Sequence, residues 1–197
     1  MNATAELLEP EVFESDFEPV LSLVEEDRRG YELIDGDWVE KPGMGAESGV
    51  VTTNVSSLLT VFVRKYRVGV IGSPEVGFRL FPDRPKHIRK PDVSFVDWKR
   101  LPDRRVPRGN VQFAPDLAVE VVSPNDEAEA LEIKLDEYLR AGVRLIWFVY
   151  PLTKNVWAYK PDGTAKLYRI ADTLTGEDVL PGFTANVSEL FEGIEPA

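Results

Sequence analysis

Asp92 and Glu120 are the side chains whose setting asks for chemistry. Glu120 interrupts the apolar run Leu117-Ala118-Val119-Glu120-Val121-Val122. A lone carboxylate in a buried strand costs roughly 2–7 kcal/mol unless something compensates for it. Asp92 follows Pro91 at the head of the strand-like run Val93-Ser94-Phe95-Val96. Pro-Asp is also an ordinary turn opening, so Asp92 has a plain structural reading beside the chemical one. Glu120 has no helper at helical spacing and needs a partner across the sheet, either an Arg or Lys or a divalent metal. Carboxylates from two neighbouring strands, with a backbone carbonyl and retained waters, make the cradle that Mg²⁺ takes.

Other chemistries fall away on composition. The chain has no cysteine, which removes thiolate nucleophiles, disulfides and cysteine zinc sites, and His87 is its only histidine. A Ser-His-Asp triad would have to use that one ring, which lies among Lys86, Arg89 and Lys90. A glycosidase built on the Asp92 and Glu120 pair would need sugar-stacking aromatics that are not identifiable beside them.

At 197 residues and 43% hydrophobic, the chain has the size and apolar content of a single domain with a sizeable core. Absence of cysteine fits a reducing compartment, and neither a secretory leader nor a membrane span is legible, so a cytoplasmic location is expected. The net charge of −11 speaks at face value against nucleic acid. Its distribution changes that reading. Residues 1–27 hold nine acids and no Lys or Arg, and removing them leaves −2. From Arg79 to Arg108 ten Lys/Arg stand against four Asp. That stretch reads either as a solvated surface or as a modest phosphate-binding patch.

The elements that must position these residues are legible in outline. Residues 1–27 read as an acidic tail or loosely docked segment, and 28–197 as one domain. "YELIDGDWVE" predicts a hairpin around Asp35-Gly36-Asp37. Val51, Val55, Leu58, Leu59, Phe62 and Tyr66 recur at three- and four-residue intervals and predict a helix over about 46–66 with one core-facing stripe. "GVIGS", "VGFRLF" and "RKPDVSFVD" read as strands, and "LPDRRVPRGN" as a polar loop. "DLAVEVVS" is the most apolar strand and is expected at the centre of the sheet. A second helix is expected over 126–141, stopping at Gly142. "RLIWFVYP", a hairpin around "PDG" and a short helix near "VSELFE" close the chain. This order predicts an α/β domain, a mixed β-sheet flanked by helices.

Asp92 after a proline, then Glu120 in a strand, resembles the PD-(D/E)XK nucleases, although the lysine slot two residues after Glu120 holds Val122. More closely, the chain resembles the Uma family of restriction-endonuclease-like proteins, in which the lysine is displaced onto the next helix in a K-x-x-x-Y pattern. Lys134 and Tyr138 match it, as do "YELIDGDWVEKP", "GAES", "IRKPDVSFVDWKRLP", "AGVRLIWFVYP" and "DVLPGF". The resemblance covers about residues 30–192. It implies a restriction-endonuclease-like fold, Asp92 and Glu120 as metal ligands, and Lys134 as the cationic partner. Glu47 matches the acidic or histidine position at the start of the long helix, as an outer-sphere residue or third ligand. The activity implied is Mg²⁺- or Mn²⁺-dependent hydrolysis of phosphodiester bonds, with DNA as the expected partner and a symmetric homodimer as the common arrangement for cutting two strands. The alternative is a non-catalytic module of the same fold that binds nucleic acid or a protein.

Overall fold

The computed structural model describes residues 28–194; the acidic segment 1–27 lies outside the described residues. Strands β1 (Tyr31–Ile34) and β2 (Asp37–Glu40) form the expected hairpin. Its Asp35-Gly36 turn has positive φ at both positions, 52° and 100°, the conformation that suits the right-handed twist of the flanking strands. Helix α1 spans Ala46–Tyr66. It buries Val51, Val55, Leu59 and Val63, while Tyr66, expected in the stripe, is exposed. Tyr66 falls on the same face, about 60° round from Val51 at 3.6 residues per turn, but it is the last residue of the helix, beyond Val63, which takes the last buried position.

Six strands form the main sheet in the order β10-β9-β8-β7-β6-β3. They are β3 (Gly69–Gly72), β6 (Val93–Asp97), β7 (Leu117–Val121), β8 (Leu145–Tyr150), β9 (Asn155–Tyr159) and β10 (Ala165–Tyr168). Only β7 and β8 pair in parallel, and helix α2 (Ala128–Arg140) lies between them in sequence, because a parallel pair requires a long crossover connection. The two-residue strands β4 (Phe78–Arg79) and β5 (Ile88–Arg89) join the first hairpin in a small sheet ordered β2-β1-β5-β4. β11 (Thr173–Thr175) and β12 (Thr184–Asn186) pair near the end, followed by the short helix α3 (Val187–Leu190).

The period-two alternation of β7 divides the core. Leu117, Val119 and Val121 pack with Val51, Val55 and Leu59 of α1, whereas Ala118 packs with Tyr138, Ile146 and Phe148 on the other face. Glu120 therefore points to the α2 side. Helix α2 is two residues shorter at its start than expected, since Asp126 instead accepts a hydrogen bond from the Ser123 amide in a turn at 2.7 Å. At its end the Gly142 amide bonds Leu139 O and the Val143 amide bonds Tyr138 O, with φ +80° at Gly142. That paired reversal is a Schellman motif, for which glycine is the favoured residue.

Candidate active site

The antiparallel register that pairs Val93 with Val119 sets Asp92, one step further out, across from Glu120. Both carboxylates are buried, at 6% and 4% exposure, and line one small cleft of about 30 Å³ with Lys41, Ser123, Asp126 and Lys134. A volume of about 10–15 Å³ holds one water, so the cleft has room for very few small species.

Each carboxylate oxygen has a protein donor. The Val121 amide donates to Asp92 Oδ2 at 2.9 Å, and Lys41 Nζ donates to Asp92 Oδ1 at 3.3 Å. On Glu120, Tyr138 OH donates to Oε1 at 2.6 Å and Lys134 Nζ to Oε2 at 3.1 Å. Lys134 and Tyr138 reach the same carboxylate because residues four apart share a helix face. Tyr138, whose plain reading is a core aromatic, is fully buried and also holds Glu120. Burial pushes the Glu120 carboxyl up, opposed by Lys134 and reinforced by Asp92, and the net direction is upward. For Lys134 burial pulls the ammonium down, but Glu120, Glu32 and Asp92 outweigh it and the group is raised. Burial followed by Glu120 raises the Tyr138 phenol well above its ordinary range. Lys134 and Tyr138 therefore hold their protons tightly beside the Glu120 carboxylate.

Glu47 stands apart from this cluster. It is exposed in the first turn of α1 and lines a neighbouring cleft with Val122, Pro124 and Tyr150. Ser123 borders both clefts.

Two features escaped the sequence reading. Lys41, just beyond β2, contributes the second ammonium. A lysine beside Pro42 and Gly43 carries no local signal, because its partner Asp92 is 51 positions away. The second feature is a buried ionic chain supporting the site. Arg89 bonds Glu32 at 2.7 Å and Glu137 at 2.6 Å, and Glu32 accepts from the Lys90 amide at 2.8 Å. His87 lies between Asp35 and Glu137, at 3.2 and 3.3 Å. The basic stretch read as one patch is thus divided: Arg89, Lys90 and His87 are interior, whereas Lys86, Lys99, Arg104, Arg105 and Arg108 are exposed.

The donor set suits a hard cation that keeps most of its water. Mg²⁺ is commonly held by one or two carboxylates with several waters, and each carboxylate oxygen retains a second lone pair beside the donor it already accepts from. A dehydrated all-protein cage is not offered, since among the described residues no group of three or more His, Asp or Glu is placed to hold a metal. No helix among the described residues is long and apolar enough to cross a membrane.

Comparison with known proteins agrees with this architecture. The model of the Uma2 family, described as "Putative restriction endonuclease", matches residues 15–188. The match begins earlier than the resemblance legible in the motifs, inside the acidic segment. A crystal structure of "a putative nuclease belonging to DUF820" from Anabaena variabilis superposes with a TM-score of 0.70 at 19% identity, covering 84% of this chain and 92% of that one. At that identity the likeness is one of fold. No curated protein matches.

Proposed function

The chain belongs to the Uma2 family of restriction-endonuclease-like proteins, and from that membership we propose that it is a metal-dependent endonuclease that hydrolyses phosphodiester bonds in DNA. The observation that carries this reading is the convergence of Asp92 and Glu120 from adjacent antiparallel strands, with Lys134 on Glu120 at 3.1 Å. Asp92 and Glu120 would hold Mg²⁺ or Mn²⁺. Bound there, the ion would polarise the phosphodiester and make water a better nucleophile. Asp92 presents its Oδ1 edge, because the Val121 amide fixes Oδ2. Tyr138 holds Glu120 Oε1 and Lys134 holds Oε2. Lys134 keeps its proton and supplies positive charge beside the place where a phosphoryl group gains negative charge. Glu47, outside the carboxylate pair, is an outer-sphere candidate only. The exposed Arg104, Arg105 and Arg108 fit phosphate contacts, which position a duplex without reading its sequence.

A second reading, a non-catalytic module of this fold, is favoured by one observation. Lys41 and Lys134 already pair with Asp92 and Glu120, so each of the two buried carboxylates has a counter-charge without a metal. Calorimetric titration with Mn²⁺ separates the two. The metal reading expects weak binding by the unmodified chain and none by Asp92→Ala or Glu120→Ala, since one remaining carboxylate leaves too little to hold the ion. Identical titrations for all three proteins would remove the metal site and leave the binding module.

A further inference from the structure

Lys41 has an unusual position for a lysine outside the lysine pattern of the family. Its side chain is 15% exposed, and its ammonium donates to the Lys90 carbonyl at 2.7 Å and to Asp92 Oδ1 at 3.3 Å. Oδ1 is the Asp92 oxygen that no backbone amide holds, because Val121 takes the other. Resting on the metal reading above, we propose that Lys41 is a built-in counter-cation that stands in for the divalent ion in the free protein, and that metal loading requires its ammonium to withdraw from Asp92.

The charge count supplies the reason. Asp92 and Glu120 carry two negative charges against the two positive charges of Lys41 and Lys134. Asp126 adds a third carboxylate to the same cleft, so a divalent ion beside both ammonium groups sets four positive charges against three negative ones in little room, and like charges this close repel strongly. Removing one ammonium relieves both the charge and the crowding. Lys41 is the one with freedom to leave. Lys134 projects from the middle of α2, whereas Lys41 is followed by the exposed, irregular segment Pro42-Gly43-Met44-Gly45. Glycines at 43 and 45 widen the backbone choices there. In the free protein the same contact prevents the two buried carboxylates from repelling each other, so one lysine serves both to stabilise the fold and to oppose the metal.

The test is Mn²⁺ titration of the full chain, freed of metal, as the unmodified protein and as Lys41→Met, followed by calorimetry and by the shift of the thermal midpoint. Binding is expected to tighten about tenfold or more in Lys41→Met, from the loss of one nearby positive charge. The variant alone should melt lower than the unmodified protein, and Mn²⁺ should raise its midpoint by more, since ligand stabilisation grows with affinity. Equal or weaker Mn²⁺ binding by Lys41→Met, with binding by the unmodified protein intact, overturns the exchange and leaves the metal reading standing. No binding by either protein overturns both. If circular dichroism shows Lys41→Met unfolded, Lys41→Gln, which keeps a donor for the Lys90 carbonyl, is read by the same criteria.

Discussion

Glu120 is tolerated inside an apolar strand because Tyr138 and Lys134 each give it a hydrogen bond and Lys134 also gives it a charge. Removing one partner of a buried ion pair costs about 3–5 kcal/mol, because the other charge is left uncompensated. Lys134→Met is therefore expected to lower stability by that amount in urea unfolding, partly offset if Glu120 then takes up a proton. The same variant should lose DNA cleavage while binding Mn²⁺ as well as before or more tightly. Val122 lies on the Glu120 face of its strand and packs with the α2-side cluster. Adding Val122→Lys to Lys134→Met should restore part of the nicking of supercoiled plasmid, the sign that an ammonium is needed at that place and not at that sequence position. Full nicking by Lys134→Met alone would make the helix lysine a purely structural partner of Glu120.

At the scale of elements, α2 is tied to the small sheet by ions as well as by packing. Glu137 accepts from Arg89 Nε and faces His87. Burial raises its carboxyl, but His87 and Arg89 bring it down from 4.5 to about 2. A carboxyl lowered in the folded state stabilises the fold fully above pH 4.5, and that stability drains away as pH falls towards about 2. Glu137→Gln should accordingly lower the urea midpoint at pH 6, with the gap to the unmodified protein closing as pH falls through that window. A gap independent of pH would mean that Glu137 acts by packing alone. The sequence showed α1, the hairpin and the β7 strand because each is written in local periodicity or turn chemistry. It did not show the Arg89–Glu32–Glu137 chain, whose partners lie 48 and 57 positions apart. A run of charges in sequence says nothing about which of its members the fold turns inward. Glu120 was legible as an anomaly within its own apolar strand and Asp92 only as a Pro-Asp opening with a chemical reading beside the plain one, whereas Lys41, whose partner is 51 positions away, was not legible at all.

In the whole molecule three features come together: a fold shared with the Uma2 family, a buried carboxylate pair on the adjacent strands β6 and β7, and exposed arginines on the segment that links those strands. Restriction-endonuclease-like architecture explains why the pair sits at adjacent strands, since β6 and β7 are rigidly paired and can hold two ligands in fixed geometry. The most direct measurement is nicking of supercoiled plasmid in Mg²⁺ or Mn²⁺ by the unmodified chain beside Glu120→Gln, which keeps size and hydrogen-bonding capacity but removes the charged ligand. The expected result is metal-dependent nicking that chelation abolishes and that Glu120→Gln lacks. Nicking by Glu120→Gln at the rate of the unmodified chain would contradict the role of Glu120 as a metal ligand.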